Sequence, residues 1–199
     1  MQPHRTPAWK APAHSRRLRL ARHRLAVQGF TLVEVMVVVV LVGILATIGI
    51  VSLRKWMVTS KAVEALHVIQ GIRGAQERYR AEGLVYLDVS TSGTLYPMTT
   101  PGTKKYNWVQ TTHVDYPRWR LLNPTVSTSV QHGYIVRAGR AMTAPYTPPG
   151  MTITWPAAAE IQDPWYVIYA QGDLNGDGVP GRYAASSLTG EIARINDGG

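Results

Sequence analysis

Two groups of side chains in this sequence could do chemistry. The first lies in Gly172-Asp173-Leu174-Asn175-Gly176-Asp177-Gly178-Val179, where Asp173, Asn175 and Asp177 occupy alternate positions. Alternate side chains of a tight loop converge on one point, and calcium takes about six to eight oxygen ligands. Asp173, Asn175 and Asp177 would offer carboxylate and amide oxygens, Gly178 the sharp turn, and Val179 a backbone carbonyl. The bidentate Glu that closes a complete EF-hand loop should fall at position 184, which is Ala184. Glu191 or Asp197 would have to complete the shell. The same letters also form a turn without metal, because Asn-Gly and Asp-Gly are strong hairpin pairs. A Ca2+ loop and a plain turn both stand at this point. The second group is a single carboxylate, Glu34, in an otherwise apolar run. A charge inside a membrane span costs about 2.5–3.5 kcal/mol on insertion scales, so it marks a function and needs a cation.

Nothing else is arranged for catalysis. His67, His113 and His132 are separated, without metal-ligand spacing, and read as surface or edge residues. There is no G-x-S-x-G, no H-E-x-x-H and no phosphate loop. Zero cysteine removes a thiolate metal site, a Cys nucleophile and a disulfide scaffold. The reading is of a protein that is not an enzyme.

Glu34 must be positioned by the run Phe30–Val51, 22 residues in which it is the only charge. As a helix this run is roughly 33 Å long, enough to cross a bilayer core of about 30 Å. Valine is a poor helix former in water, but in lipid the backbone must bond to itself and helix wins. Residues 1–29 precede it as a basic leader with Lys10, Arg5, Arg16, Arg17, Arg19, Arg22 and Arg24 and no acidic residue. Of the formal +9, this arm supplies +7, and residues 30–199 are left with +2. The high pI therefore belongs to the leader rather than to a nucleic-acid-binding surface. The larger basic count lies before the span, with Arg54 and Lys55 behind it, so the leader stays cytoplasmic and the remainder crosses. A signal peptide has a shorter apolar region, of about 7–15 residues.

The junction reads Gln28-Gly29-Phe30-Thr31-Leu32-Val33-Glu34. With the uninterrupted apolar stretch behind it, G-F-T-L-V-E resembles the type IV pilin and pseudopilin superfamily. The resemblance covers the first third of the chain. It implies cleavage between Gly29 and Phe30 by a membrane prepilin peptidase, and N-methylation of Phe30. It also implies that Glu34 pairs with the terminal amine of an adjacent subunit and sets the stagger of a filament. Gly29 has a physical reason beside this, since a residue without a side chain lets the peptidase approach the backbone. Two departures stand out. No proline falls between Pro12 and Pro97, where pilins commonly have a kink, and the C-terminal cysteine pair of many pilins is missing. The weak points of the helix are instead Gly43, Gly49, Gly71 and Gly74. Gly43 and Gly49 suit either local melting or close helix packing.

Beyond the span, Val58, Ala62, Ala65, Ile69, Ile72, Gln76 and Tyr79 recur at alternating spacings of four and three, with Val63 and Leu66 widening the stripe. That is an amphipathic helix, expected to end at Glu82-Gly83. From Phe30 to Glu82 it would be on the order of 80 Å long. The rest, 83–199, is expected to be a β-rich head whose connection over 84–130 is loop-rich. Tyr96-Pro97, Pro101-Gly102, Asn123-Pro124 and Pro148-Pro149-Gly150 mark turns. Strands are expected at Gly133–Ala138, Met151–Trp155, Trp165–Ala170, Arg182–Ser186 and Glu191–Ile195. The fold class is α+β: a long N-terminal helix, transmembrane and then amphipathic, packed on a small antiparallel sheet. Trp108, Tyr116, Trp119, Trp155 and Trp165 lie among Lys104, Lys105, Arg118 and Arg120. Such interleaving can bind single strands, but with a net of +2 core and interface packing is the expected use and nucleic acid is not an expected partner.

The resemblance implies a structural subunit, a minor pilin in our reading, held in the inner membrane with its head in the periplasm. It would then be drawn into a cell-surface pilus. The expected partners are the prepilin peptidase, other pilin subunits, and pilus or type II secretion machinery. The alternatives are a type II secretion pseudopilin in a periplasmic pseudopilus and, from another class, a membrane-anchored calcium- or ligand-binding module.

Overall fold

The computed structural model describes residues 29–126 and 129–196. Residues 1–28 of the leader expected over 1–29 and the alternative ligand Asp197 lie outside the described residues, as do the side chains of Arg54, Lys55 and Val58. The chain falls into two compact units, 1–44 and 45–199.

The apolar run and the amphipathic stripe are both helical, within α1, Leu32–Gly83. It begins two residues after the expected Phe30. Over Leu32–Ile50 the mean hydropathy is 2.7 and none of the stretch is buried. A helix apolar on every side has no reason to stay in water, and its length fits a bilayer.

In the second unit the stripe buries one face. Ala62, Ala65, Val68, Ile69, Ile72 and Ala75 are at most 4% exposed and belong to the main core cluster. Each fully buried Ile or Val contributes about 1.5–3 kcal/mol relative to exposure. Leu66 and Tyr79 flank the cluster, as expected. Val63 does not, and is 58% exposed. Val68 and Ala75 close the stripe instead, because the buried arc is centred on Ile69 and Ile72 and Val63 falls outside it. Gln76 is fully buried without loss, since its amide Nε2 donates to Leu87 O at 2.8 Å and its Oε1 accepts Leu87 N–H at 3.0 Å. This clip turns the chain back along the helix just after α1 ends. Gly83 is the last helical residue, and the left-handed conformation that usually favours glycine falls on Leu84, at φ 58°.

Four strands form an antiparallel sheet: β3 (Gly133–Gly139), β4 (Trp165–Gly172), β5 (Gly181–Ser186) and β6 (Ile192–Ile195), in that order, each paired to the next. Two short strands, β1 (Tyr106–Asn107) and β2 (Ser129–Val130), pair separately. Alternation sorts the faces. Tyr134, Val136, Tyr166, Ile168, Ala170, Tyr183 and Ala185 join the helix stripe in one core. The register sets Val136 opposite Ile168, Ile168 opposite Ala185, and Ala185 opposite Ile192. On the other face Ile135, Tyr169 and Ala184 pack with Met151, and Val167 and Trp165 with Ile161. Both faces of β4 are thus covered, which is why WYVIYA is apolar throughout.

One expected strand needs correcting. Met151–Trp155 is not a strand; Met151 and the half-buried Ile153 cover the second sheet face through side chains alone. The loop-rich connection contains a helix, α2, Tyr116–Leu122, with Pro117 in its first turn and Asn123 at φ 48° as its C-cap. Its buried residues, Trp119 and Leu122, are three apart on one face. Trp119 stacks on Tyr96 with centroids 5.1 Å apart, and Trp108 meets both rings edge-on. These aromatics serve packing.

Candidate functional site

The N-terminal site is built on the first turn of α1. Gly29 and Phe30 precede the helix in an exposed stretch without regular secondary structure, with Phe30 81% exposed. A Cβ placed on Gly29 would meet nothing within 4 Å, so the backbone here is open to approach. Thr31 then ends that stretch. Its Oγ1 accepts the backbone N–H of Glu34 at 3.2 Å, and its carbonyl accepts Val35 N–H at 3.2 Å. That is a Thr N-cap with Glu at the third helical position, a signal legible as T-x-x-E that the sequence reading passed over. The cap fixes where the helix starts and places Glu34 in its first turn, where the positive end of the helix dipole favours a carboxylate. Behind Glu34 the exposed face of Val33, Met36, Val37, Val40 and Leu41 is wholly apolar. The structure therefore gathers Gly29, Phe30, Thr31 and Glu34 within three residues of the helix start, with the carboxylate as the single charge on Leu32–Ile50.

The second candidate, Asp173–Val179, joins β4 to β5 as a hairpin loop. Its side chains are turned on the loop itself. Asp173 accepts Gly176 N–H at 2.7 Å and Gly178 N–H at 3.0 Å, one on each carboxylate oxygen. Asp177 accepts Val179 N–H at 2.7 Å and the Asn175 side-chain amide at 2.8 Å. Asn175 Oδ1 accepts Asp177 N–H at 2.9 Å. Gly176 and Gly178 have φ of 77° and 83°, which only glycine adopts without cost. All five side-chain oxygens of Asp173, Asn175 and Asp177 already hold a hydrogen bond, and the loop keeps its shape by these bonds. Two carboxylates and one amide fall short of the about six to eight oxygens calcium takes. Among the described residues no group of three or more His, Cys, Asp or Glu is placed to hold a metal ion. Glu191 lies in the β5–β6 connection, in a hollow with Ile153, Trp155 and Ala193.

A third cluster was not foreseen. His132 is not at the surface or an edge but fully buried. Its Nδ1 lies 3.4 Å from Glu64 Oε1, which also accepts Gln131 N–H at 2.6 Å, and Lys105 Nζ stands 4.0 Å from Oε2. Burial raises the Glu64 pKa, but the hydrogen bonds from His132 and Gln131 and the nearby charges outweigh it, leaving the carboxyl below its ordinary range. Tyr134 OH is buried here without a hydrogen-bond partner among the described residues, and desolvation pushes that phenol well above its usual value. The cluster fastens α1 to the segment leading into β3. His113 is half-buried and His67 exposed, and neither meets a metal-ligating set.

Residues 24–50 match a family model described as the prokaryotic N-terminal methylation motif. The match spans the open Gly29-Phe30 bond, the Thr31 cap, Glu34 and the exposed apolar helix. No curated protein and no solved structure matches the chain.

Proposed function

We propose that this chain, marked by its N-terminal methylation motif as a type IV pilin-like or pseudopilin precursor, is a structural subunit of a type IV pilus-like filament, in the rank of a minor pilin. The prepilin peptidase cuts between Gly29 and Phe30 and methylates the new amine of Phe30. Leu32–Ile50 anchors the subunit in the inner membrane, with the head on the periplasmic side, until assembly draws it into the filament. There the exposed apolar helix packs against the helices of other subunits.

The observation that carries this reading is the lone carboxylate of Glu34 one turn into an exposed apolar helix, directly behind an open Gly-Phe bond. A carboxylate in that setting needs a cation, and the cation that cleavage creates is the amine of Phe30 on a neighbouring chain. The pairing fixes the register between subunits, because only one axial offset brings the two groups together. Glu34→Val tests it. Membrane insertion is expected to persist or improve, while recovery in sheared filaments falls at least about tenfold, the loss of about 1.4 kcal/mol. Unchanged recovery would overturn the assigned role. A type II secretion pseudopilin would use the same four residues; recovery from a periplasmic pseudopilus rather than from surface filaments would select it.

A further inference from the structure

The head carries a surface cleft at the edge of the main core. Its volume is about 380 Å³, within the range of about 300–1,000 Å³ usual for small-molecule sites. Two chain segments wall it, one contributing Pro97–Thr100 and the other Tyr106, Gln110, Thr112 and His113.

The walls are stapled together. Asp115, 2% exposed, accepts the Ser92 backbone N–H at 3.3 Å, the Ser92 hydroxyl, and the Thr91 hydroxyl at 3.4 Å. Its own N–H donates to His113 Nδ1 at 3.1 Å, and His113 Nε2 meets Leu95 O at 3.0 Å. Gln110 N–H donates to Tyr96 OH, and Gln110 Nε2 to Asn107 O. The cleft is therefore preorganised, and preorganisation lowers the entropic cost of binding.

Its chemistry is neutral and two-sided. No Lys, Arg, Asp or Glu lines it. A phosphate or carboxylate would find no cation, and an ammonium no anion. The hydroxyls of Thr99, Thr100 and Thr112 and the Oε1 of Gln110 make no hydrogen bond to another described residue. A wholly apolar ligand would strip water from these groups without replacing its hydrogen bonds. Hydroxyls that both donate and accept are matched by a ligand whose own hydroxyls do the same. We propose that this cleft is a saccharide-binding site that holds one sugar unit of a glycan between the Thr99-Thr100 and Gln110–His113 walls. The proposal does not depend on the filament reading, since the cleft lies wholly in the head.

The test is saturation-transfer NMR on the full chain in a detergent without a sugar headgroup. The probes are glucose, galactose, mannose and N-acetylglucosamine, each alone. At least one sugar is expected to receive transfer and to shift the His113 ring resonances. Thr100→Val and Gln110→Ala, one on each lining segment, are each expected to weaken its Kd about tenfold, while Thr152→Val, on an exposed position outside the cleft, leaves it unchanged. Unaltered melting temperatures show that the variants are folded. Absence of transfer from all four sugars, or transfer that survives both cleft variants, would overturn the assignment.

Discussion

Glu64 Oε1 accepts the Gln131 backbone N–H at 2.6 Å and faces His132 Nδ1 at 3.4 Å, so one carboxylate on α1 holds two consecutive residues of the sheet entry. Because these partners favour the charged form, the folded Glu64 binds its proton less readily than the unfolded one, whose pKa is about 4.5. A depressed carboxyl contributes stability that is present above the unfolded pKa and is lost as pH falls through the folded one. The melting temperature of the wild-type head is therefore expected to fall as the pH drops below about 4.5. Glu64→Gln is expected to cost about 1–3 kcal/mol at pH 7 and to flatten that acid limb. Thermal melts of both proteins from neutral to acid pH check it. Parallel curves would show that the interaction does not depend on charge.

The glycines of α1 respond oppositely to one substitution. A Cβ on Gly71 would sit 2.5 Å from the backbone oxygen of Thr125, so helix and connection touch only because no side chain intervenes. At the exposed Gly74 a Cβ meets nothing within 4 Å. Gly71→Ala is expected to destabilise by about 1–3 kcal/mol through overpacking. Gly74→Ala is expected to stabilise by about 1 kcal/mol through helix propensity. Chemical denaturation of the two variants gives both signs directly.

The Asp173–Val179 loop already pairs its side-chain oxygens with its own backbone and amide groups. We expect it to fold without metal, so that EDTA and millimolar calcium give the same melting temperature and calorimetric titration shows no binding heat. A calcium-dependent rise in melting temperature, lost in Asp177→Asn, would instead establish Asp173, Asn175 and Asp177 as ligands. Loss of the Asp173 carboxylate in Asp173→Ala is expected to weaken the β4–β5 hairpin by about 1–2 kcal/mol in either case.

What was legible in the sequence follows periodicity and composition. The Ala62–Gln76 stripe could be read because it repeats with the helical period, and the WYVIYA strand because it is a short, continuous apolar run of aromatic and β-branched residues. The closing contacts could not. Whether Val63 or Val68 faces the sheet depends on the angle at which the helix is docked, which tertiary packing decides. α2 escaped because seven residues give only two buried positions, too few for a period to register. Met151–Trp155 has a strand's composition, yet its neighbours take its side chains and not its backbone. His132 was misplaced because its burial depends on Glu64, a residue 68 positions away. The N-terminal motif was the most legible part, since the Gly29-Phe30 pair, the carboxylate and the apolar span follow one another directly in the chain. Even there Thr31 was missed, although T-x-x-E is written in the sequence.

We propose that the chain is matured at Gly29-Phe30 and works from its new N-terminus. The most direct measurement is mass spectrometry of the N-terminal peptide of full-length protein expressed with and without a prepilin peptidase. With the peptidase, the account predicts a chain that starts at Phe30 and carries one added methyl group, and Gly29→Arg keeps its leader. A leader retained in both expressions, or cleavage at another bond, would contradict it.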